Sequence, residues 1–229
     1  MQIKKIIKPL ALTCLVSLPG LSNAAMSSMM NCDKCNFVDV KVGVDQPTNL
    51  KGNSTLSGNS AGPVFVGGIA VGRKFMDTYS VDLEFMHKGT DKVNSSSANG
   101  DTTATWGSKS DSLMVNFAAD LMKEKSTVTP YVKAGIGASR NKSSNYITTG
   151  DTIATYNGKN KTNFAWQVGA GFNVETNNMM DTQIQYMFVD RGKMETVASV
   201  TSNGRSTSGT ARNGKLRDHV FTIGFKFKF

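Results

Sequence analysis

Apolar and polar residues alternate with a period of two along much of the chain, most plainly over 219–229. There Phe221, Ile223, Phe225, Phe227 and Phe229 share one parity, and Thr222, Gly224, Lys226 and Lys228 share the other. That period belongs to a strand with one apolar and one polar face. Seven earlier segments read the same way, for eight candidate strands in all: 37–44, 63–75, 79–87, 110–121, 129–140, 164–174 and 181–189 before the last. In 79–87, for example, Tyr79, Val81, Leu83 and Phe85 oppose Ser80, Asp82, Glu84 and Met86. The segment 63–75 is glycine-rich and ambiguous, and we expect Phe65, Ile69 and Val71 to face outward.

The connections alternate too. Long polar segments (45–62, 88–109, 141–163, 190–216) take turns with short ones (76–78, 122–128, 175–180). The candidates approach the roughly 9–11 residues that a tilted strand needs to cross a bilayer. Together these features predict an all-β fold: an eight-stranded antiparallel up-and-down transmembrane β-barrel with four long extracellular loops and short periplasmic turns. In it, 219–229 closes the barrel against 37–44. Parity alone also admits a soluble, lipocalin-like barrel with the aromatics lining a cavity. The loop alternation, the terminal Phe229, and Tyr79, Phe164 and Trp166 near strand ends favour the membrane form.

The start of the chain agrees. Lys4, Lys5 and Lys8 precede an apolar run from Leu10 to Leu18, and Ser22-Asn23-Ala24 supplies a small-x-Ala cleavage site. This predicts a signal peptide at 1–24, a periplasmic N-terminal segment at 25–36 and an outer-membrane barrel at 37–229. In an exported chain Cys32 and Cys35 are candidates for a small local disulfide. A thioredoxin-like pair, or soft-metal binding with Met26, Met29 and Met30, stands as an alternative.

Eight strands enclose a lumen only wide enough for side chains to fill. The inward parity carries Asp39, Lys41, Asp82, Glu84, Asp120, Lys133, Lys226 and Lys228, charges of both signs, which predicts a paired lumen network. Asp82 and Glu84 on one face also have the form of an acid–base pair, but pairing with Lys41, Lys133, Lys226 or Arg73 is the simpler expectation. Paired glycines such as Gly135 and Gly137 are expected to relieve crowding in so narrow a lumen.

Charge shifts attention to the loops. The chain is 229 residues long with a formal charge of +9, which falls to +6 without the three lysines of the signal peptide. Residues 140–161 balance to +3 and residues 190–217 to +4. Arg140, Lys142, Lys159, Lys161, Arg205, Arg212, Lys215 and Arg217 therefore form a candidate basic loop patch. Such a patch attracts polyanions such as lipopolysaccharide phosphates or sulfated host glycans. The expected location argues against nucleic acid.

Phe225-Lys226-Phe227-Lys228-Phe229 resembles the C-terminal assembly signal of Gram-negative outer-membrane proteins. The runs 130–137 (PYVKAGIG) and 164–171 (FAWQVGAG) resemble the opacity-like and rickettsial surface-antigen families of small barrels, related in kind to the OmpA transmembrane domain. The resemblance spans the chain from Phe37 onward. It implies outer-membrane location, recognition of Phe225, Phe227 and Phe229 by the barrel-assembly machinery, and a surface antigen or adhesin that meets host or matrix components through its loops.

Catalytic signals are weak. His87 and His219 are expected at the extracellular rim, facing outward and on non-adjacent strands, and neither is followed by the Ser-Asn that a lipid A deacylase barrel would show. We expect no enzyme activity, cofactor or metal site. The expected function is a surface adhesin or antigen, with a narrow channel as the first alternative and a lipid-modifying barrel enzyme as the second.

Overall fold

The computed structural model describes residues 35–48, 62–75, 78–96, 103–122, 126–143, 146–149, 154–202, 205–208 and 213–229. The expected signal peptide, most of the 25–36 segment and Cys32 lie outside the described residues. Cys35, just before the first strand, is disulfide-bonded.

The strands in chain order are β1 (Asn36–Pro47), β2 (Val64–Phe75), β3 (Tyr79–Ser96), β4 (Thr103–Asp120), β5 (Val128–Ser143), β6 (Tyr146–Thr149), β7 (Ala154–Gly158), β8 (Asn160–Asn177), β9 (Met180–Ser202), β10 (Arg205–Ser208) and β11 (Asn213–Lys228). Eight of them, β1, β2, β3, β4, β5, β8, β9 and β11, pair in that order into a closed antiparallel barrel. Closure is made by β1 and β11, in register from Phe37↔Lys228 to Pro47↔Asp218. At the seam's lower end the Phe229 amide donates to the Asn36 carbonyl (2.9 Å), and the Asn36 amide donates to the Phe229 carbonyl (3.1 Å).

The two faces are inverted relative to a soluble protein. The outward side chains are apolar and open, with Phe65 63% and Phe164 67% exposed, while Asp39, Lys41, Glu84 and Lys133 are buried inside. A lipocalin-like arrangement would show the reverse, so burial decides the question that parity left open. The exterior is a belt for lipid and the packed interior is the lumen.

The narrowness of that lumen explains its glycines. A Cβ on Gly135 would overlap Asn116 Oδ1, and one on Gly169 would overlap the Tyr186 carbonyl. At Gly169 the backbone of the neighbouring strand leaves no room for a side chain, and at Gly135 the Asn116 side chain takes the space.

The long connections expected at 88–109, 141–163 and 190–216 carry strand structure of their own. β3 and β4 continue as a paired ladder through Ser96↔Thr103, far beyond the expected strand end at 87. β9 runs to Ser202 and folds back through β10, and β6 and β7 make a further hairpin against β4 and β9. Residues 49–61 of the first connection lie outside the described residues. The apolar–polar alternation ends near the outer edge of the belt, where lipid no longer faces the strands. The backbone ladder needs no apolar face and carries on.

Two bulges interrupt the ladders near the outer end of the barrel. Pairing of β3 with β4 shifts between Lys88 and Asp91, and pairing of β11 with β9 shifts at Leu216/Arg217, leaving Arg191 as the extra residue of β9. Gly192 comes next with φ of 78°, and its amide donates to Asp190 Oδ1 (2.9 Å). A bulge resets strand parity by one residue. Here the resets turn Asp91 inward together with Lys88, and Met194 inward after Arg191.

Candidate functional site

The chemistry of this barrel is concentrated in its lumen, which is filled in three layers. In the lower layer Lys41 lies 2.9 Å from Asp39 and donates to Glu84 at 2.7 Å. Lys133 lies 3.0 Å from both Asp82 and Glu84. Amides complete it: Asn116 donates to Asp82 (2.6 Å), while Gln167 donates to Glu84 (3.0 Å) and to Asn116 Oδ1 (2.6 Å). Lys226 joins through rings, its ammonium 4.7 Å from the centroid of Phe37 and 5.8 Å from that of Tyr131. The three bases match the three acids, which is the condition for keeping so many charges out of water.

Above lies a layer of Val66, Met86, Met114, Ala165, Met187, Val189 and Val220, all buried. On β3 it falls between Glu84 and Lys88, on β4 between Asn116 and Ser112, and on β9 between Gln185 and Arg191. Three methionines suit such a place, because a flexible thioether fills an irregular gap.

The upper layer is a second ion network. Arg191, fully buried, donates to Asp218 (2.8 Å), Asp45 (3.1 Å) and Ser112 Oγ (2.6 Å). Lys88 lies 2.9 Å from Asp218, 3.1 Å from Asp45 and 3.9 Å from Asp91. A polar ladder extends it: Ser110 donates to Asn141 Oδ1 (2.8 Å), and Asn141 donates to the Arg191 carbonyl (2.8 Å). Two cations face three carboxylates. Asp91 lies beyond His87, where β3 has left the apolar belt. Burial pushes its carboxyl up to about 6, with Asp218 and Asp45 adding to the rise and Lys88 opposing it.

The expected lumen residues thus divide. Asp39, Lys41, Asp82, Glu84 and Lys133 converge. Asp120 and Lys228 do not join them: Asp120 pairs with Lys74 and Lys228 with Asp181, each at 2.7 Å. Both sit at the periplasmic strand ends, where the lumen opens to water. The upper network lies beyond the apolar runs. Asp45 and Lys88 fall in segments that read as loops, and Arg191 falls among the bases of 190–217 although it is buried in the lumen. Asp45, Lys88, Arg191 and Asp218 keep the inward parity of their strands, so the signal was available by extending each strand beyond its apolar run; only Asp91 lies past a bulge that breaks it.

The outer rim carries the rest. His87 and His219 face outward there: His87 Nδ1 is 2.6 Å from Asp111, and His219 Nδ1 is 2.7 Å from the Tyr186 hydroxyl. Tyr186, Phe188, Phe221, Trp166 and His219 form one aromatic cluster with centroids 4.9–6.0 Å apart, the composition of an interfacial belt. The expected basic patch is partly neutralised. Lys142 lies 3.6 Å from Asp111, Arg217 2.9 Å from Asp190, and Lys159 3.8 Å from Glu195, which Lys161 also contacts. Partial burial raises the Asp111 carboxyl, but His87 and Lys142 outweigh it and hold the group below its ordinary value. Arg140 and Lys215 are exposed. The Arg205 side chain and Arg212 lie outside the described residues.

A closed barrel with an apolar exterior and a charged interior calls for comparison with known membrane barrels. The model of the outer membrane protein beta-barrel domain family matches residues 16–229. The chain belongs to that family. It is an outer-membrane protein of the small-barrel kind. Among solved structures, a major outer-membrane protein of Thermus thermophilus is similar at a TM-score of 0.53, with 8% identity over 85% of this chain and 99% of that one. OprG of Pseudomonas aeruginosa is similar at 0.51, with 14% identity over 86% and 97%. In sequence the chain is 26% identical over 207 residues to the outer membrane protein PagN of Salmonella typhimurium, covering 85% of this chain and 84% of PagN. No group of three or more metal-ligating side chains occurs among the described residues.

Proposed function

We propose that this barrel is a surface adhesin that binds host or matrix components through its extracellular hairpins, with a lumen that neither conducts nor catalyses. The observation carrying the proposal is the three-layered filling of the lumen. Charged and apolar layers alternate across it, so the buried charges are committed to one another. What is left for a partner is the part of the chain beyond the belt, where β3, β4, β9 and β10 build polar hairpins. Sulfated glycans suit the bases of that region in charge.

The test uses beads bearing the full chain and cultured host cells. Wild-type beads are expected to bind, and removal of residues 92–107, the β3–β4 hairpin tip, is expected to weaken binding at least severalfold while the barrel still migrates in its compact form on unheated gels. Equal binding by bare beads refutes adhesion. Planar-bilayer recording addresses the channel alternative: a steady conductance that changes in Glu84→Gln or Lys133→Met would overturn the closed lumen.

A further inference from the structure

The upper network is out of balance, and the imbalance falls on one residue. Asp45 and Asp218 each lie within 3.1 Å of both Lys88 and Arg191. Asp91 is left with Lys88 at 3.9 Å, an ammonium already shared by the other two acids. Among the described residues its Oδ1 has no hydrogen-bond partner, although the residue is only 2% exposed. A carboxyl so buried and so poorly met is costly as an anion and tolerable as a neutral acid. The charged groups that face it come from four strands: Lys88 on β3, Asp45 on β1, Asp218 on β11 and Arg191 on β9. The inward residues of β4 beside it, Ser108 and Ser110, carry no charge.

The same residue stands where the β3–β4 hairpin leaves the barrel. β2 pairs with β3 as far as Val66↔Lys88 and no farther. Among the described residues, β3 beyond that point is held by β4 alone. Between Lys88↔Ser110 and Asp91↔Ser108, two residues of β3, Gly89 and Thr90, oppose the single residue Lys109. The ladder is disrupted at such a bulge, and the strand bends there. Asp91 is the first residue past the break, and its side chain is turned into the lumen. It therefore ties the start of the hairpin arm to the ion network of the barrel.

We propose that Asp91 is a proton-operated latch for the β3–β4 hairpin: as a neutral acid it stays seated in the mouth of the lumen and holds the hairpin base, and as an anion it leaves that seat and the base loosens about the Gly89–Thr90 bulge. Ionised Asp91 is repelled by Asp45 and Asp218, whose two cations are already engaged. Acidic surroundings thus order this part of the extracellular surface, and neutral ones loosen it. The size of the effect follows from the proton affinity of the seat: a carboxyl raised from about 4 to about 6 is seated about a hundredfold less tightly as an anion than as an acid. The latch is a property of the hairpin itself and holds whether or not the hairpins bind a host component.

The test is amide hydrogen exchange of the full chain in lipid bilayers under mildly acidic and mildly alkaline conditions, on either side of the Asp91 transition. Rates are corrected for the intrinsic pH dependence of exchange. Protection of the ladder amides of 91–96 and 103–108 is compared with that of 80–86, inside the belt. In wild type the hairpin protection is expected to fall by about tenfold or more on going to the alkaline side, while 80–86 stays unchanged. D91N is expected to keep its hairpin protected in both conditions. H87Q/H219Q, which removes the two histidines that titrate in the same window, is expected to keep the wild-type fall. Compact migration of each variant on unheated gels separates loss of the latch from loss of the barrel. Equal hairpin protection in both conditions for wild type, a fall in D91N as steep as in wild type, or loss of the fall in H87Q/H219Q would each overturn the proposal, the last by moving the switch to the rim histidines.

Discussion

Replacing Arg191 by Met is the sharpest probe of the lumen. Arg191 is fully buried and holds Asp45 and Asp218 at 3.1 and 2.8 Å, with Lys88 as the other cation within reach of both. Met keeps most of the volume and removes the charge and its donors. The network then has three carboxylates and one cation, and Ser112 Oγ loses its donor. Removing one partner from a buried ion pair costs about 3–5 kcal/mol, since a charge is left uncompensated in low dielectric. With a urea dependence of about 3 kcal/mol per molar, the unfolding midpoint should fall by about 1–2 M. Equilibrium unfolding of the barrel in lipid vesicles, tracked by tryptophan fluorescence and gel mobility, measures this. The double variant R191M/D218N removes one of the stranded carboxylates and should recover at least half of the loss. A loss under about 1 kcal/mol for R191M, or a double variant no better than the single one, would refute the view that these charges are held by mutual compensation.

Three further outcomes are expected. Gly135→Val places methyl groups where Asn116 Oδ1 lies, so it should cost about 3 kcal/mol or more by overpacking and loss of the Asn116–Asp82 bond, whereas Gly67→Ala, whose nearest neighbour is the Phe65 ring at 3.6 Å, should be near neutral in the same unfolding assay. Asp91 is raised to about 6 in the fold, above its value of about 4 when unfolded. Its contribution is therefore full below about pH 4 and lost as pH rises through 6; wild type should lose stability relative to Asp91→Asn across that window, and parallel curves for the two would contradict the reading. Deleting Phe229 removes both closing hydrogen bonds to Asn36 and the aromatic terminus, so it should lower outer-membrane insertion, scored by cell fractionation, far more than adhesion per inserted molecule.

The sequence by itself determined most of the barrel. The period of two located all eight strands, because each strand separates lipid from a packed lumen and its side chains must alternate to do so. The alternation of long and short connections determined the topology, and the inward parity brought Asp39, Lys41, Asp82, Glu84 and Lys133 into one network before any distance was known. Which face met lipid was not legible from parity, and only the burial of the charged set decided it. The tertiary structure also decided what happens above the membrane. There no lipid faces the strands, the apolar pattern vanishes, and the strands continue on backbone hydrogen bonds that leave no periodic trace. The upper network belongs to the same region. Arg191 and Lys88 continue the inward parity of their strands past the ends that the apolar pattern marks, and only Asp91 enters the lumen through a bulge, which is a property of pairing between two strands rather than of either sequence alone.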